Sequence, residues 1–157
     1  KVSYDTLSNY LGYIEEAFLA YKTERYNIKG KDVVAGNCKY YLNDLSFKNF
    51  LYPGFAYGVG YLLENAVYLE LRRLGYIVYT GSFRDKEVDF VAMKDDRVIY
   101  LQATYMLETA QTMEREYAPL LTIGDNYEKY VVSMDEVQFP SNEGVRHIQA
   151  WNLKEIL

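Results

Sequence analysis

The sequence contains a single cysteine and a single histidine. Cys38 on its own cannot form an internal disulfide or a cysteine-based zinc cluster, and such sparse cysteine usage is typical of a reducing compartment. No apolar stretch approaches the roughly 18 residues needed to span a bilayer, and the first residues lack the basic and then apolar order of a secretion signal. No G-x-x-x-x-G-K-[ST] loop for nucleotide phosphates occurs. These absences predict a cytoplasmic chain with no membrane contact and no ATP site of its own.

Aromatic residues are what the sequence has in excess. Its 157 residues include 18 tyrosines and 7 phenylalanines, while half of all residues are apolar and a quarter are charged. This composition is that of a globular protein, and a chain of this length buries roughly two-thirds of its unfolded surface without a disulfide or a metal. The formal net charge is −5. Nucleic-acid binding would therefore need a local basic patch.

The first 50 residues predict a helix followed by a hairpin. Apolar residues three or four apart run through residues 3–20, which is the spacing of a helix face, and Ser3 or Asp5 can cap the first turn. Two predicted strands, 20–28 and 39–44, flank a basic, glycine-containing loop. Such a piece is too small to have a core of its own. Because the first residue is not methionine, we expect the chain to be part of a longer protein.

The rest of the chain predicts alternating helices and strands. Residues 50–60, with Pro53 and three glycines, indicate a linker. After it the pattern predicts a helix, three strands, a helix, a strand, and a final strand and helix, over residues 60–75, 76–83, 87–93, 97–105, 107–121, 129–134 and 145–157. This order indicates an α/β fold, with a mixed sheet covered by helices on both faces.

Polar residues on three of these elements form a candidate site. Glu64 borders the apolar stripe of the first long helix. Strand alternation places Asp89 and Glu87 on one face, opposite Val88 and Phe90, and the next strand carries a polar pair spaced by two residues. If these side chains converge at a sheet edge, they form the layout of a magnesium site for phosphodiester hydrolysis, because hard oxygen ligands hold the ion and the ion activates water.

Four segments carry a resemblance to a known family: GYLLENAVYLELRRLGYIVYTG, KEVDFVA, VIYLQATY and TMEREYAPLLTIGDNYEKYVVSMD. Together they resemble the uncharacterised C-terminal domain of bacterial and archaeal AAA+ type ATP-binding proteins, which has a restriction-endonuclease-like (PD-(D/E)XK) core. YDTLSNYLGYIEEAFLAY and KYYLNDLSF resemble the winged-helix segment that precedes this core. The resemblance covers nearly the whole chain. It implies a partial winged helix, a helix plus a β-hairpin wing, over 1–52 and a restriction-endonuclease-like domain over 56–157.

The resemblance also assigns the site residues. Glu64 matches the helix glutamate of the nuclease pattern and Asp89 matches its metal-binding aspartate, so a magnesium ion would be held by these two. Gln102 and Thr104 match the Glu and Lys of the E-x-K element. The pattern's lysine orients the attacking water and offsets charge that develops on phosphorus, and loss of one such donor typically costs about 10²–10³ in rate.

The departures at Gln102 and Thr104 predict a catalytically degenerate nuclease fold that binds nucleic acid or a protein partner. Two alternatives stay open: a magnesium-dependent DNA nuclease with an atypical Q-x-T element, and an interface domain that organises the assembly of the ATPase through exposed tyrosines. In either case the resemblance implies that the ATPase domain of the same longer protein is a partner. Lys129, which begins a later predicted strand, is a candidate for supplying the missing amine.

A basic loop in the first part of the chain predicts contact with DNA. Residues 22–31 carry a local charge of about +3 within a chain of net charge −5. In a winged helix this loop would be the wing, and the preceding helix would read the groove. The nucleic-acid-binding candidates are Thr6, Asn9, Lys22, Arg25, Lys29 and Lys31. Three phosphate contacts give a salt slope of only about −2.7, so such binding would be weak.

Four other positions predict structural or surface roles. His147 in a predicted strand is expected to be a hydrogen-bonded structural histidine, and Cys38 a small filler. Arg115 and Glu116 are expected to be solvated or paired surface charges.

Overall fold

The computed structural model describes residues 2–54 and 58–157. The described residues form a seven-stranded mixed sheet with helices on both faces. The helices are α1 (Tyr4–Glu16), α2 (Ser46–Leu51), α3 (Val59–Arg73), α4 (Ala110–Leu121) and a short 3-10 helix (Ala150–Glu155). The strands are β1 (Ala20–Asn27), β2 (Asp32–Leu42), β3 (Ile77–Phe83), β4 (Lys86–Lys94), β5 (Arg97–Ala103), β6 (Glu128–Ser133) and β7 (Val145–Gln149). The predicted α/β class is confirmed.

The strand order is β2-β1-β3-β4-β5-β6-β7. The meander β3-β4-β5 is antiparallel, whereas β5-β6 and β6-β7 are parallel. On one face α3 packs against Phe90, Leu101 and Val132. On the other face α4 packs against Val88 and Val131. Both faces of the central strands are therefore buried, which explains their nearly continuous apolar sequences.

A bulge in β4 changes the predicted alternation. The β3–β4 register shifts between the pairs Tyr79–Val91 and Gly81–Val88, so β4 has one extra residue there. The prediction that Val88 and Phe90 share a face is wrong for this reason, because the two side chains belong to the cores on opposite faces. Gly81 lies opposite the bulge, where a Cβ atom would come within 2.8 Å of the Val91 side chain. Only glycine permits this close approach.

The hairpin β1–β2 is the edge of the common sheet. β1 is hydrogen-bonded to β2 on one side and is parallel to β3 on the other, pairing Arg25 with Thr80. Strands from both sides of the predicted boundary, between residues 52 and 56, therefore belong to a single sheet. The hairpin is not a wing that projects from a separate unit. The physical reason is that the short N-terminal part completes its burial by pairing with β3. β2 is also longer than the predicted strand 39–44.

The helix α1 begins where the capping pattern predicts. The Ser3 side chain accepts a hydrogen bond from the Thr6 amide at 3.1 Å, which is an N-cap. No residue of α1 is buried, and its apolar stripe is open to solvent, with Tyr10 60 % exposed. The residues of this exposed stripe are Leu7, Tyr10, Tyr13 and Ile14, and the exposed Phe18 follows in the turn after the helix.

Three further expectations are settled by the structure or lie outside it. The predicted linker includes the end of α2 and the turn at Pro53, while residues 55–57 lie outside the described residues. The predicted final helix is the short 3-10 helix. Among the described residues, no helix combines the length and the apolar character that crossing a bilayer requires.

Candidate functional site

The four residues predicted to form a nuclease-like site line one pocket. The N-terminal half of α3 carries Glu64, and the bulged part of β4 carries Asp89. The end of β5 carries Gln102, and Thr104 follows directly after β5. The pocket has a volume of about 350 Å³ and is also bordered by Tyr61, Arg115 and Glu116. The convergence follows from topology, since β4 and β5 are neighbours and α3 crosses the same end of the sheet.

Side chains continue the sheet where the main-chain pairing of β4 and β5 stops. The last main-chain pair before the pocket is Phe90–Leu101. Beyond it, the Asp89 amide donates to Gln102 Oε1 at 3.3 Å, and the Ala103 amide donates to Asp89 Oδ2 at 2.9 Å. These bonds fix the orientation of Asp89 and Gln102, because each side chain satisfies a main-chain amide of the other strand.

An amine that the sequence analysis did not identify lies among the acidic residues. Lys39 on β2 places Nζ 2.9 Å from Glu64 Oε1, 2.9 Å from Glu87 Oε1 and 3.5 Å from Asp89 Oδ1. Burial by itself would lower the pKa of Lys39, but the charges of Asp89 and Glu64 outweigh burial and raise that pKa above its usual value. Lys39 is therefore a permanent cation of the site. In the sequence, Lys39 begins the segment KYY, whose pattern predicts a strand and does not indicate a functional site.

Tight contacts between β2 and α3 hold Lys39 in place. Asn65 accepts from the Leu42 amide at 2.8 Å and donates to the Leu42 carbonyl at 2.9 Å. The Tyr41 hydroxyl donates to Glu64 Oε1 at 2.7 Å, and the Tyr41 ring stacks on Tyr68 with centroids 4.2 Å apart. The strand is thus attached to the helix at Tyr41 and Leu42, and the ammonium group of Lys39 reaches from this attachment to Glu64 and Asp89.

Asp89 is the most strongly perturbed carboxyl group of the pocket. It is only 8 % exposed. Burial and then the charge of Glu64 raise the pKa of Asp89 to about 7, although Lys39 and the Ala103 amide act in the opposite direction. A carboxyl group whose pKa is raised in this way, in a pocket, is typical of functional sites.

Glu116 also belongs to the pocket. The predicted alternative of a paired charge is confirmed by its ion pair with Arg115, but Glu116 is not at the surface, because it is 7 % exposed and accepts from Gln102 Nε2 at 3.3 Å. Arg115 lies on the solvent side of Glu116, and its Nη2 atom is 2.6 Å from Glu116 Oε1. Gln102 therefore accepts from the Asp89 amide with its oxygen and donates to a carboxylate with its nitrogen. An ionised glutamate has no donor, which explains why an amide fits at this position.

Replacing Gln102 by glutamate is expected to destabilise the protein by about 1–3 kcal/mol at pH 8, because two carboxylates would face each other in a buried contact. The loss should be smaller at pH 5, where a protonated glutamate can donate as the amide does. Urea unfolding at both pH values measures this difference. The control is Gln111→Glu, an exposed position in the first turn of α4, the helix that carries Glu116. Equal losses for Gln102→Glu at both pH values would contradict the explanation.

Lys129 does not supply an amine to the pocket. Its ammonium donates to the carbonyl oxygens of Asp125 at 2.7 Å and Tyr127 at 3.2 Å, and to Asp125 Oδ1 at 3.3 Å. These contacts use the donors of the group. The suggestion that Lys129 replaces the lysine of the E-x-K element is therefore wrong, and Lys39 is the amine that the structure brings to the pocket.

The predicted nucleic-acid-binding residues divide into two groups. Arg25 is committed within the protein, because it donates to Glu87 Oε2 at 2.7 Å and to the Asn37 carbonyl at 2.9 Å. The remaining five are exposed: Thr6, Asn9, Lys22, Lys29 and Lys31. Thr6 and Asn9 lie on α1, whereas Lys29 and Lys31 lie at the turn between β1 and β2. The exposed basic group is thus smaller than the sequence predicts.

The carboxylates of the pocket do not fit a resident magnesium ion. Glu64 and Asp89 both already contact Lys39, and Asp89 uses its other oxygen for the Ala103 amide. Across residues 2–54 and 58–157, no cluster of three or more His, Cys, Asp or Glu side chains is arranged to hold a metal ion. Magnesium requires a near-octahedral oxygen shell, and here an ammonium group occupies part of that shell.

A second polar cluster, Ser133, Asp135 and His147, resembles a catalytic triad only in composition. His147 Nδ1 accepts from the Phe139 amide at 3.2 Å, so the neutral ring carries its proton on Nε2, 2.8 Å from the Ser133 hydroxyl. Ser133 in turn donates to Asp135 at 2.6 Å. The proton of the serine therefore points to the aspartate and not to the histidine. All three residues are buried, and the cluster is structural.

Comparisons with known proteins identify two relatives. A protein of Haemophilus influenzae described as an uncharacterised protein is 37% identical over 128 residues, which cover 82% of this chain and 31% of the relative. The uncharacterised protein MJ1544 of Methanocaldococcus jannaschii is 32% identical over 120 residues, covering 74% of this chain and 26% of the relative. The chain thus spans less than a third of the length of these relatives. No family model matches the chain, and no solved structure matches it.

Proposed function

We propose that this chain is the restriction-endonuclease-like module of a longer AAA+ type ATP-binding protein, and that it binds a partner without hydrolysing phosphodiesters. Support for the module comes from the element order α3-β3-β4-β5-α4-β6, with an antiparallel meander followed by a parallel strand. This is the order that the resemblance implies for the core. The acid on α3 and the acid on β4 also meet at the pocket.

The loss of hydrolysis rests on one observation: Gln102 is held between the Asp89 amide and Glu116. Both polar ends of its amide are engaged, so a neutral group stands where the nuclease pattern has a metal-binding carboxylate. The neighbouring position of the element, Thr104, has no charge. A neutral hydroxyl cannot supply the Coulomb interaction that an ammonium group offers to a phosphorane.

A protein partner is favoured over nucleic acid by the exposed surface. The stripe on α1 that includes Leu7, Tyr10 and Tyr13 is apolar and uncovered, and such a surface is typical of contacts between proteins. Of the six residues predicted to bind nucleic acid, only three are exposed basic residues, in a chain of net charge −5. The relatives are more than three times as long as the matched segment. We therefore propose that the partner is the ATPase part of the longer protein, docked on this stripe.

The second candidate function is a magnesium-dependent DNA nuclease. Lys39 favours it, because its ammonium group restores to the pocket the positive charge that Thr104 lacks. In this alternative Glu64 and Asp89 would bind the ion and Lys39 would orient water. The fit of the carboxylates to Lys39, and not to a metal, is the reason that we rank this function second.

Incubation with plasmid and single-stranded DNA plus magnesium or manganese tests the proposal. We expect no cleavage beyond that of the Asp89→Ala variant prepared in parallel, because a site without the E-x-K lysine and carboxylate lacks transition-state stabilisation of about 10²-fold or more. Metal-dependent cutting by the wild type that Asp89→Ala abolishes would establish the nuclease and refute the proposal. The Asp89→Ala control also removes the ambiguity of contaminating nucleases, which would cut equally in both samples.

A further inference from the structure

Lys39 places its ammonium group where a metal ion would have to contact the carboxylates of the pocket. Its ammonium group has three N–H donors, and three different carboxylates surround it: Glu64 and Glu87 at 2.9 Å and Asp89 at 3.5 Å. The Glu64 and Asp89 side chains are about seven-eighths buried, at 13 % and 12 % exposure. In such an environment ionised carboxylates repel one another, and a cation between them offsets this repulsion.

We infer that Lys39 is a built-in replacement for the divalent cation of this pocket, and that the pocket binds a divalent cation only when the Lys39 ammonium group is removed. The inference deepens the proposed function and rests on it, since a pocket that needs no metal is one that has stopped hydrolysing phosphodiesters. It departs from the magnesium site that the nuclease resemblance implies.

Steric and electrostatic exclusion support the inference. A magnesium ion binds oxygens at 2.0–2.1 Å, and Nζ already lies within hydrogen-bonding distance of the same Glu64 and Asp89 oxygens. An ion bridging those two side chains would therefore lie beside the ammonium group, and the two cations would repel each other. One of them must leave the pocket for the other to bind.

Of the three carboxylate oxygens that do not contact Lys39, those of Glu87 and Asp89 are also engaged, which leaves little room for a shared site. Glu87 Oε2 accepts from Arg25 at 2.7 Å, and Asp89 Oδ2 accepts from the Ala103 amide at 2.9 Å. The Tyr41 hydroxyl donates to the same Glu64 oxygen as Lys39. Each of the three carboxylates therefore accepts a hydrogen bond from a group other than Lys39. In Glu64 that bond is made to the same oxygen that contacts Lys39.

The anchoring of β2 makes the lysine the resident cation. Two hydrogen bonds between Asn65 and the main chain of Leu42, three residues after Lys39, attach the strand to α3. The stacking of Tyr41 on Tyr68 adds an apolar contact at the same place. Because the backbone of Lys39 is held, its ammonium group has a high effective concentration at the carboxylates. A dissolved cation must compete with a tethered one.

Manganese titration, followed by the electron paramagnetic resonance of the free ion, tests the inference with three proteins. The wild type and the control Lys22→Met, an exposed lysine on the neighbouring strand, are expected to show no saturable binding up to about 1 mM. Lys39→Met, which removes the ammonium group and keeps the chain length, is expected to bind one ion at least about tenfold more tightly. Adding Asp89→Asn to Lys39→Met should abolish that binding, which places the ion in the pocket.

Thermal unfolding gives a second measurement. Magnesium at about 10 mM should raise the melting temperature of Lys39→Met and leave that of the wild type unchanged, because a ligand stabilises only a protein that binds it. If Lys39→Met does not fold, Lys39→Gln, which keeps a hydrogen-bond donor, replaces it in both measurements.

Two outcomes would overturn the inference. One is saturable manganese binding by the wild type that Asp89→Asn removes. The other is a folded Lys39 variant that binds no ion, since the lysine would then not be what excludes it. Metal binding by the wild type without DNA cleavage would refute this inference and leave the proposed function intact. DNA cleavage by the wild type, abolished in Asp89→Ala, would refute both.

Discussion

Replacement of Asn65 by alanine is expected to lower the free energy of unfolding by about 2–4 kcal/mol. Asn65 is 7 % exposed, and its side chain satisfies both the amide and the carbonyl of Leu42. The alanine variant leaves these two main-chain groups without their partner where β2 crosses α3. Alanine has a higher helix propensity than asparagine by several tenths of a kcal/mol. The measured loss of stability is therefore the contribution of the two hydrogen bonds minus this gain in propensity.

Urea denaturation followed by far-UV circular dichroism measures the loss. The matched control is Asn9→Ala, also within a helix but exposed, which should change the free energy of unfolding by no more than about 0.5 kcal/mol. A loss below about 1 kcal/mol for Asn65→Ala would show that β2 is not held to α3 through this side chain. The position of Lys39 would then need another explanation.

Replacement of Asp89 by asparagine is expected to change how stability depends on pH. In the folded protein the pKa of Asp89 is raised to about 7 from its ordinary value of 3.8. Between these two pH values the folded state holds a proton that the unfolded state releases, so the contribution of Asp89 to stability is present below pH 4 and is lost as the pH rises through 7. An asparagine does not titrate and escapes this loss.

The free energy of unfolding of Asp89→Asn relative to the wild type should therefore rise by about 1–3 kcal/mol between pH 5 and pH 8. Near pH 5 the two proteins should be similar, because a protonated aspartate and an asparagine both accept from the Ala103 amide and neither carries a charge. The control is Asp96→Asn in the exposed β4–β5 turn, whose difference from the wild type should not vary in this way. A relative stability of Asp89→Asn that falls with pH would mean that Lys39 outweighs burial at this carboxyl group.

The two predictions are linked through Lys39. Asn65 determines where β2, and with it Lys39, lies on α3. Asp89 responds to the charge that Lys39 brings. If Asn65→Ala shifts Lys39 away from the carboxylates, the pKa of Asp89 in that variant should rise further, because the largest opposing charge is weakened. The two sites are in contact through Glu64 and Tyr41, so their effects are not expected to be additive.

Local patterning in the sequence was sufficient for most of the elements. The three-to-four spacing of apolar residues predicted α1, α3 and α4 to within a few residues, and short apolar runs between turn residues predicted the strands of the meander. It also placed Glu64, Asp89 and the pair Gln102 and Thr104 where they could converge at one edge of the sheet. Neighbouring strands of a meander and the helix that precedes them have few possible arrangements, so local patterns carry this information.

Contacts between distant parts of the chain were decided by the tertiary structure alone. Lys39 is 25 residues from Glu64 and 50 from Asp89, and the segment KYY predicts a strand whichever strand it pairs with. The burial of Glu116 likewise depends on how α4 lies over β5, and the bulge at Asp89 depends on β3. Hydrophobic periodicity reports which face of an element is buried, but it does not specify the partner of an edge hairpin. The sequence therefore determined the elements and the acidic half of the pocket, and the folded chain determined the cation that neutralises it.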